Sequence, residues 1–281
     1  MLHRQFGCSN QSVSVIGQGT WRIEKADRAS AIAALRRGID MGMTHIDTAE
    51  RYSFGVVEEI VASAIEGRRN EVFLTSKVLP ENASRSSMRV SCENSLRRLR
   101  TDRLDCYLLH WRGDLPLEDT VLTFEELKQE GKIASWGLSN FDTPDLEEVA
   151  SITDVNKIAC NQILYHLNER GSEHTVIPWC LERGIAITAY STFGHQGFPS
   201  PASRGGSILY EVARNHSATA WQVALAFLVR SPPIFAIPRS ANPLHTAENA
   251  RAMELNLSVE EISLIDTAFP RGPRPSTLPS I

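Results

Sequence analysis

The sequence predicts an α/β fold, a single-domain (β/α)8 TIM barrel over residues 1–281, on three observations. Eight short apolar runs recur along the chain, helix-like stretches separate them, and the length suits one barrel. The runs are residues 13–16, 44–46, 72–75, 104–109, 133–137, 158–160, 186–189 and 234–237. They show little alternation of apolar and polar residues, the pattern of strands covered on both faces in a parallel sheet. Barrels of this class take about 250 residues, and the chain has 281. A doubly wound sheet is the competing architecture. It calls for G-x-G-x-x-G after the first strand, and Gly17-Gln-Gly19-Thr20-Trp21-Arg22 has no third glycine there.

The helices follow in order. Ile32, Leu35 and Ile39 form one apolar stripe, and a second helix is expected over 54–66. Met88, Cys92, Leu96 and Leu99 form the next stripe, with Arg89, Glu93, Arg97 and Arg100 mostly facing away. Val121, Phe124 and Leu127 mark a fourth helix. Thr143 before Pro144 reads as an N-cap with proline at the first helical position. Further helices are expected over 174–183, 219–230, 243–252 and 258–269. Two segments break the rhythm. Residues 191–206 hold four glycines, two prolines and three serines, which predicts a long loop after the seventh strand. The tail 270–281 has four prolines and cannot continue a helix.

Composition excludes several classes of function. Lys plus Arg is 29 and Asp plus Glu is 33, a net charge of −4. That balance gives no general attraction to nucleic acid or an anionic membrane. The five cysteines are an odd number, far apart, with no C-x-x-C. Buried thiols in a reducing cytoplasm fit better than a disulfide framework or a zinc ribbon. The first residues hold no apolar signal core, and the longest mostly apolar stretch, 221–229, is too short to span a bilayer.

Three ionisable residues follow apolar runs. Asp47 follows Thr44-His45-Ile46, Lys77 follows Val72-Phe73-Leu74-Thr75-Ser76, and His110 follows the run that ends at Leu109. Strand C-termini of a barrel converge on one face, so these three meet at one mouth. Tyr52, five residues after Asp47, is close enough to fold back. Alone, each has an ordinary structural reading, an ion pair at the rim or a packed ring. Together they form a proton donor. A free Tyr, with a pKa near ~10, is a poor acid at neutral pH. A nearby Lys⁺ lowers that pKa, Asp47 holds Lys77 in place, and His110 orients a carbonyl oxygen. His45, inside a strand, reads as a core residue with satisfied nitrogens.

The run Gly42-Met43-Thr44-His45-Ile46-Asp47-Thr48-Ala49-Glu50-Arg51-Tyr52 resembles the aldo-keto reductases. So do Leu74-Thr75-Ser76-Lys77, Tyr107-Leu108-Leu109-His110-Trp111, Gly137-Leu138-Ser139-Asn140-Phe141, Asn161-Gln162, Ala189-Tyr190-Ser191, Ile237-Pro238-Arg239-Ser240 and Glu248-Asn249. The motifs run in order from about Gly17 to Asn249. Tyr165-His166-Leu167 and Ile177-Pro178-Trp179-Cys180 are most similar to bacterial methylglyoxal-reductase-like members.

The resemblance implies NADPH-dependent reduction of small aldehydes and ketones, 2-oxoaldehydes included. Tyr52 would be the acid, supported by Asp47, Lys77 and His110. Ser139, Asn140 and Gln162 would bond the carboxamide of the cofactor and Tyr190 would stack on its nicotinamide. Thr20 and Trp21 would border it. Ser191 and Phe193 would begin the pyrophosphate loop, with 191–206 covering the cofactor. Arg239, Ser240, Ala241, His245, Glu248 and Asn249 would bind its adenosine end. Relatives often have Arg where this chain has His245, mostly neutral at pH 7, so NADH enters as a second cofactor. Trp21, Phe54 and Trp111 would line the substrate mouth, and the tail would form one wall or be disordered.

The implied protein is a cytoplasmic monomer with a small-molecule carbonyl substrate, no nucleic-acid or membrane partner, and no metal. Two alternatives stand beside it. One is a non-catalytic NADP(H)-binding sensor or partner subunit on the same barrel. The other is a metal-dependent hydrolase, disfavoured because the eight histidines include no His-x-His and no H-E-x-x-H.

Overall fold

Eight parallel strands stand side by side in sequence order in the computed structural model, which describes residues 1–281. They are β3 (Gln18–Gly19), β4 (His45–Asp47), β5 (Phe73–Val78), β6 (Leu104–Leu109), β7 (Ile133–Ser139), β8 (Ile158–Leu164), β9 (Ala186–Tyr190) and β10 (Ile234–Ala236). Parallel bridges from Ile16 to Ala236 and from Gly19 to Arg239 join the last strand to the first and close the barrel. Two further strands, β1 (His3–Gln5) and β2 (Ser12–Ser14), form an antiparallel hairpin. The expected first strand, 13–16, is therefore divided. Its start belongs to the hairpin, and the barrel strand begins after it.

The helices are α1 (Arg28–Asp40), α2 (Val56–Ile65), α3 (Arg85–Leu99), α4 (Leu117–Gln129), α5 (Thr143–Ile152), α6 (Val176–Glu182), α7 (Arg204–Asn215), α8 (Ala220–Leu228), α9 (Pro243–Ala250) and α10 (Val259–Ala268). The apolar stripes read from sequence are buried: Leu35 and Ile39 on α1, Met88, Cys92, Leu96 and Leu99 on α3, and Val121, Phe124 and Leu127 on α4. The cap of α5 lies one residue earlier than expected. Asp142 accepts the Thr143 N–H and donates its own N–H to Asp145, so Pro144 is the second helical residue. An aspartate competes well for the cap position.

The helix α7 was not expected, because Gly205 and Gly206 at its start read as loop. Ser203 caps it, and Leu209, Val212 and Ala213 are buried in a satellite cluster with α8 and α10. Gly206 is packed so closely that a Cβ would lie 1.8 Å from the Ser200 oxygen. These glycines are there for close packing.

The proline-rich tail follows a fixed course. Arg170, 2% exposed, bonds Glu173, Asp266 and the Phe269 carbonyl, which holds the end of α10. His174 Nε2 lies 3.0 Å from the Gly272 oxygen, and the Leu278 N–H donates to Asp142. The tail thus crosses the barrel rim, and Ile281 reaches the central cavity. No helix is long and apolar enough to cross a membrane.

Candidate active site

A cavity of about 580 Å³ opens at the C-terminal ends of the strands, where barrel sites form. A depression of about 610 Å³ lies elsewhere, between α3 and α4, but only polar residues line it, among them Arg85, Arg89 and Glu126. Those three side chains pair with one another or with Glu130 across the surface, so the groove carries no chemistry of its own.

Adjacent strands deliver the site residues in turn. Asp47 ends β4, Lys77 lies near the end of β5, and His110 follows β6. Ser139 ends β7, Asn140 follows it, Gln162 lies on β8 and Tyr190 ends β9. Register sets Asp47 beside Thr75 and Lys77 beside Leu108. Lys77 and Asp47 are 0% and 1% exposed, and their charged atoms stand 2.5 Å apart. Lys77 Nζ also donates to the Thr48 carbonyl at 2.9 Å and to the Tyr52 hydroxyl at 3.2 Å. All three ammonium protons are therefore used.

Asp47 is equally well served. Its second oxygen accepts from Gln162 Nε2 at 2.7 Å, and its carbonyl accepts from the Thr20 hydroxyl at 2.8 Å. Thr20 thereby braces Asp47, while also bordering the cavity. Burial works against the Lys77 charge, yet Asp47 and Tyr52 hold its pKa above the usual amine value.

Tyr52 departs from the sequence expectation. Burial pushes its phenol above the ordinary value, and the Lys77 charge opposes that rise without reversing it. Desolvation of the phenolate outweighs the one ammonium beside it. The phenol is thus fully protonated at neutral pH. Burial first, then the charges of Lys77 and Arg51, lower His110 to about 2. His110 is neutral at any working pH, with one N–H to donate. Its ring stands 5.8 Å from that of Tyr52, nearly perpendicular.

The opposite wall is a hydrogen-bonded set. Asn140 donates to the His110 carbonyl and to Ser139 Oγ, both at 3.1 Å, and accepts from the Tyr190 hydroxyl at 2.8 Å. Asn140 and Ser191 have φ of 60° and 52°, the left-handed region. Arg22, Ser53 and Phe54 at the same mouth share it. Such backbone costs about 1 kcal/mol per residue and concentrates at functional sites.

The cavity brings together Trp21, Asp47, Tyr52, His110, Trp111, Ser139, Asn140, Gln162, Tyr190, Ser191, Phe193 and Arg239. Ser240, Ala241, His245, Glu248 and Asn249 fall outside its lining, on the turn into α9 and along that helix. Phe54 does not join the mouth. Its φ of 53° turns it outward, and it is 98% exposed. Arg22, Glu24, Arg51, His195 and Ile281 also line the cavity, at positions to which the sequence pattern assigns no role. Arg51 lies inside the motif that carried the resemblance, so its position was legible. The others depended on loop and tail courses. No group of three or more His, Cys, Asp or Glu is placed to hold a metal ion.

Comparison with known proteins agrees with this geometry. Residues 15–269 match the model of the aldo/keto reductase family. A methylglyoxal reductase of Escherichia coli is 41% identical over 92% of both chains. A glyoxal reductase of Bacillus subtilis is 30% identical over 93% of this chain and 92% of its own. The crystal structure of an aldo/keto reductase from Klebsiella pneumoniae, in complex with NADP and acetate, superimposes with a TM-score of 0.94. It is 41% identical and covers all of both chains.

Proposed function

The chain belongs to the aldo/keto reductase family, and from that premise we propose that it reduces small aldehydes and ketones with NADPH, 2-oxoaldehydes of the methylglyoxal type among them. The observation that carries the reading is the position of Lys77. It touches Tyr52 on one side and Asp47 on the other at the floor of an open cavity.

The residues present fit a nicotinamide cofactor. A carboxamide needs acceptors for its N–H groups and a donor for its oxygen. The Gln162 Oε1 and a remaining lone pair on Asn140 Oδ1 supply the acceptors. Ser139, whose oxygen already accepts from Asn140, keeps its own O–H to donate. Tyr190 offers a ring face. Arg239, exposed and without an ion pair, and the exposed His245 suit the 2′-phosphate. NADPH is therefore preferred over NADH, with His245 the weaker contributor at neutral pH. The segment 191–203, up to the cap of α7, with Ser191 and Phe193 on the cavity lining, would hold the pyrophosphate. When bound, the cofactor supplies hydride to the carbonyl carbon.

The chain's own residues handle the oxygen. Neutral His110 donates a hydrogen bond that fixes the carbonyl. Tyr52 gives its proton as negative charge develops there. The resulting phenolate sits 3.2 Å from the Lys77 ammonium, which stabilises it, and Asp47 keeps that ammonium charged. Trp21 and Trp111 border the substrate. The five cysteines are all free thiols, which supports a reducing cytoplasmic setting. Every residue assigned to the proposed chemistry comes from one chain, so turnover needs no second copy.

Tyr52→Phe tests the assignment. NADPH oxidation with methylglyoxal should fall by about 10³, while NADPH affinity, read by fluorescence titration, stays within about threefold. Undiminished turnover in that variant overturns the role. A wild-type protein that binds NADPH but oxidises it with no short aldehyde favours the sensor alternative.

A further inference from the structure

We propose that Arg51 selects carbonyl substrates that carry a carboxylate a few bonds from the reacting carbon, by binding that carboxylate at the mouth of the cavity. The proposal rests on reading the cavity as a carbonyl-reducing site. Arg51 directly precedes Tyr52 and lines the cavity with it, His110 and Trp111. Its guanidinium carbon lies 4.9 Å over the Trp111 ring, and that ring lies 4.9 Å from the ring of His110. A guanidinium lying on an aromatic face is held in place while its N–H edge stays free, the geometry that grips a carboxylate through two parallel bonds.

The charge on Arg51 has no partner within the chain. Arg68, Arg89 and Arg98, by contrast, are each tied to carboxylates. The other two guanidiniums on the lining, Arg22 and Arg239, follow the first and last barrel strands. Those strands neighbour each other through the Gly19–Arg239 bridge, away from Trp111. Two side-chain carboxylates share the lining, and Ile281, the last residue, lies there as well with no ion pair to Arg51. Asp47 is neutralised by Lys77, and Glu24, with one buried oxygen unpartnered, makes no ion pair with Arg51. The charge of Arg51 is felt at the reacting groups, since it lowers His110 and opposes the rise of Tyr52. A neutral aldehyde leaves this cation to water, whereas an oxo-acid satisfies it once the carbonyl is seated against Tyr52 and His110.

The test compares two C4 aldehydes, 4-oxobutanoate and butanal, with NADPH at low ionic strength, in wild type, R51K, R51M and R51E. The readout is the ratio of their kcat/KM values, which cancels any general effect of the substitution on Tyr52. Wild type should favour 4-oxobutanoate by about tenfold or more. R51K should keep part of that preference, R51M lose it through a raised KM for 4-oxobutanoate, and R51E reverse it. Added salt should erode the wild-type ratio and leave that of R51M unmoved. A ratio that is the same in all four proteins overturns the proposal, while turnover of both aldehydes leaves the carbonyl-reductase reading standing. A wild type that turns over neither aldehyde, nor methylglyoxal, overturns that reading and this proposal with it.

Discussion

His45 and Asp47 lie two residues apart on β4, so their side chains leave the same side of the strand. Both are buried, at 0% and 1% exposure. Their surroundings are opposite. Every donor around Asp47 is aimed at it, with Lys77 on one oxygen and Gln162 on the other. His45 stands among the rings of Phe6, Phe73 and Phe235, and neither of its nitrogens has a hydrogen-bond partner. The core position read for His45 is observed, and no protein group reaches its nitrogens, because the short turn after β1 carries Phe6 over the barrel floor where a polar group could have stood. One turn of pleat separates a floor built from packing from a mouth built from paired charge. Burial alone marks neither; the pairing of the buried groups marks the chemistry.

The sharpest way to break the contrast is to unpair the mouth. In Lys77→Met the Asp47 carboxylate stays buried with Gln162 alone. Carbonyl turnover should fall by about 10³ or more, and denaturant unfolding should show a loss of about 3–5 kcal/mol, the usual cost of leaving one buried ion alone. Adding Asp47→Asn should recover most of the stability and none of the turnover. A double variant as unstable as the single one would mean that packing, rather than pairing, holds this region.

The mouth was more legible than the floor for a physical reason. Asp47, Lys77 and His110 are polar residues that interrupt or end apolar runs, and a parallel barrel turns sequence order into spatial order, so their meeting follows from topology. Gln162 was read as a cofactor contact, and its bond to Asp47 spans the barrel from β8 to β4, which no local pattern encodes. The helix α7 was hidden because glycines that serve close packing look like glycines that serve a loop. The outward turn of Phe54 depends on positive φ at two non-glycine residues, a strain the surrounding fold imposes. The tail's course depends on Arg170, whose partners lie about a hundred positions away.

A smaller effect separates support from chemistry within the mouth itself. Gln162→Leu removes the donor 2.7 Å from Asp47 Oδ2 but leaves the Lys77 pair. Turnover should fall about tenfold, and NADPH should bind more weakly because an acceptor for the carboxamide is gone too. Gln162→Glu should be worse than Leu, since it sets a second carboxylate against Asp47. If Glu proves the milder change, the contact serves the cofactor and contributes nothing to Asp47.

At neutral pH the smallest effect belongs to the floor, and there the contrast makes its oddest demand. Burial first, then the Lys77 charge, lower the His45 imidazole from its ordinary 6.5 to about 3. The unfolded chain takes up that proton first, so the contribution of His45 to stability is whole above about pH 6.5 and is lost as pH falls from there toward 3. The slope is about 1.4 kcal/mol per pH unit for one proton. His45→Leu removes the titration and the two unpartnered nitrogens while keeping an apolar side chain of similar size. At pH 7 the variant should turn over carbonyls within about twofold of wild type and be no less stable, or more stable by about 1 kcal/mol. Below pH 6 its advantage should widen along that slope. His110 and His166, lowered to about 2 and about 4, remain in both proteins, so the difference between the two stability curves isolates His45. Parallel curves from pH 7 to pH 4 would mean that the floor supplies His45 with a partner after all, and that the two ends of β4 are more alike than their neighbours suggest.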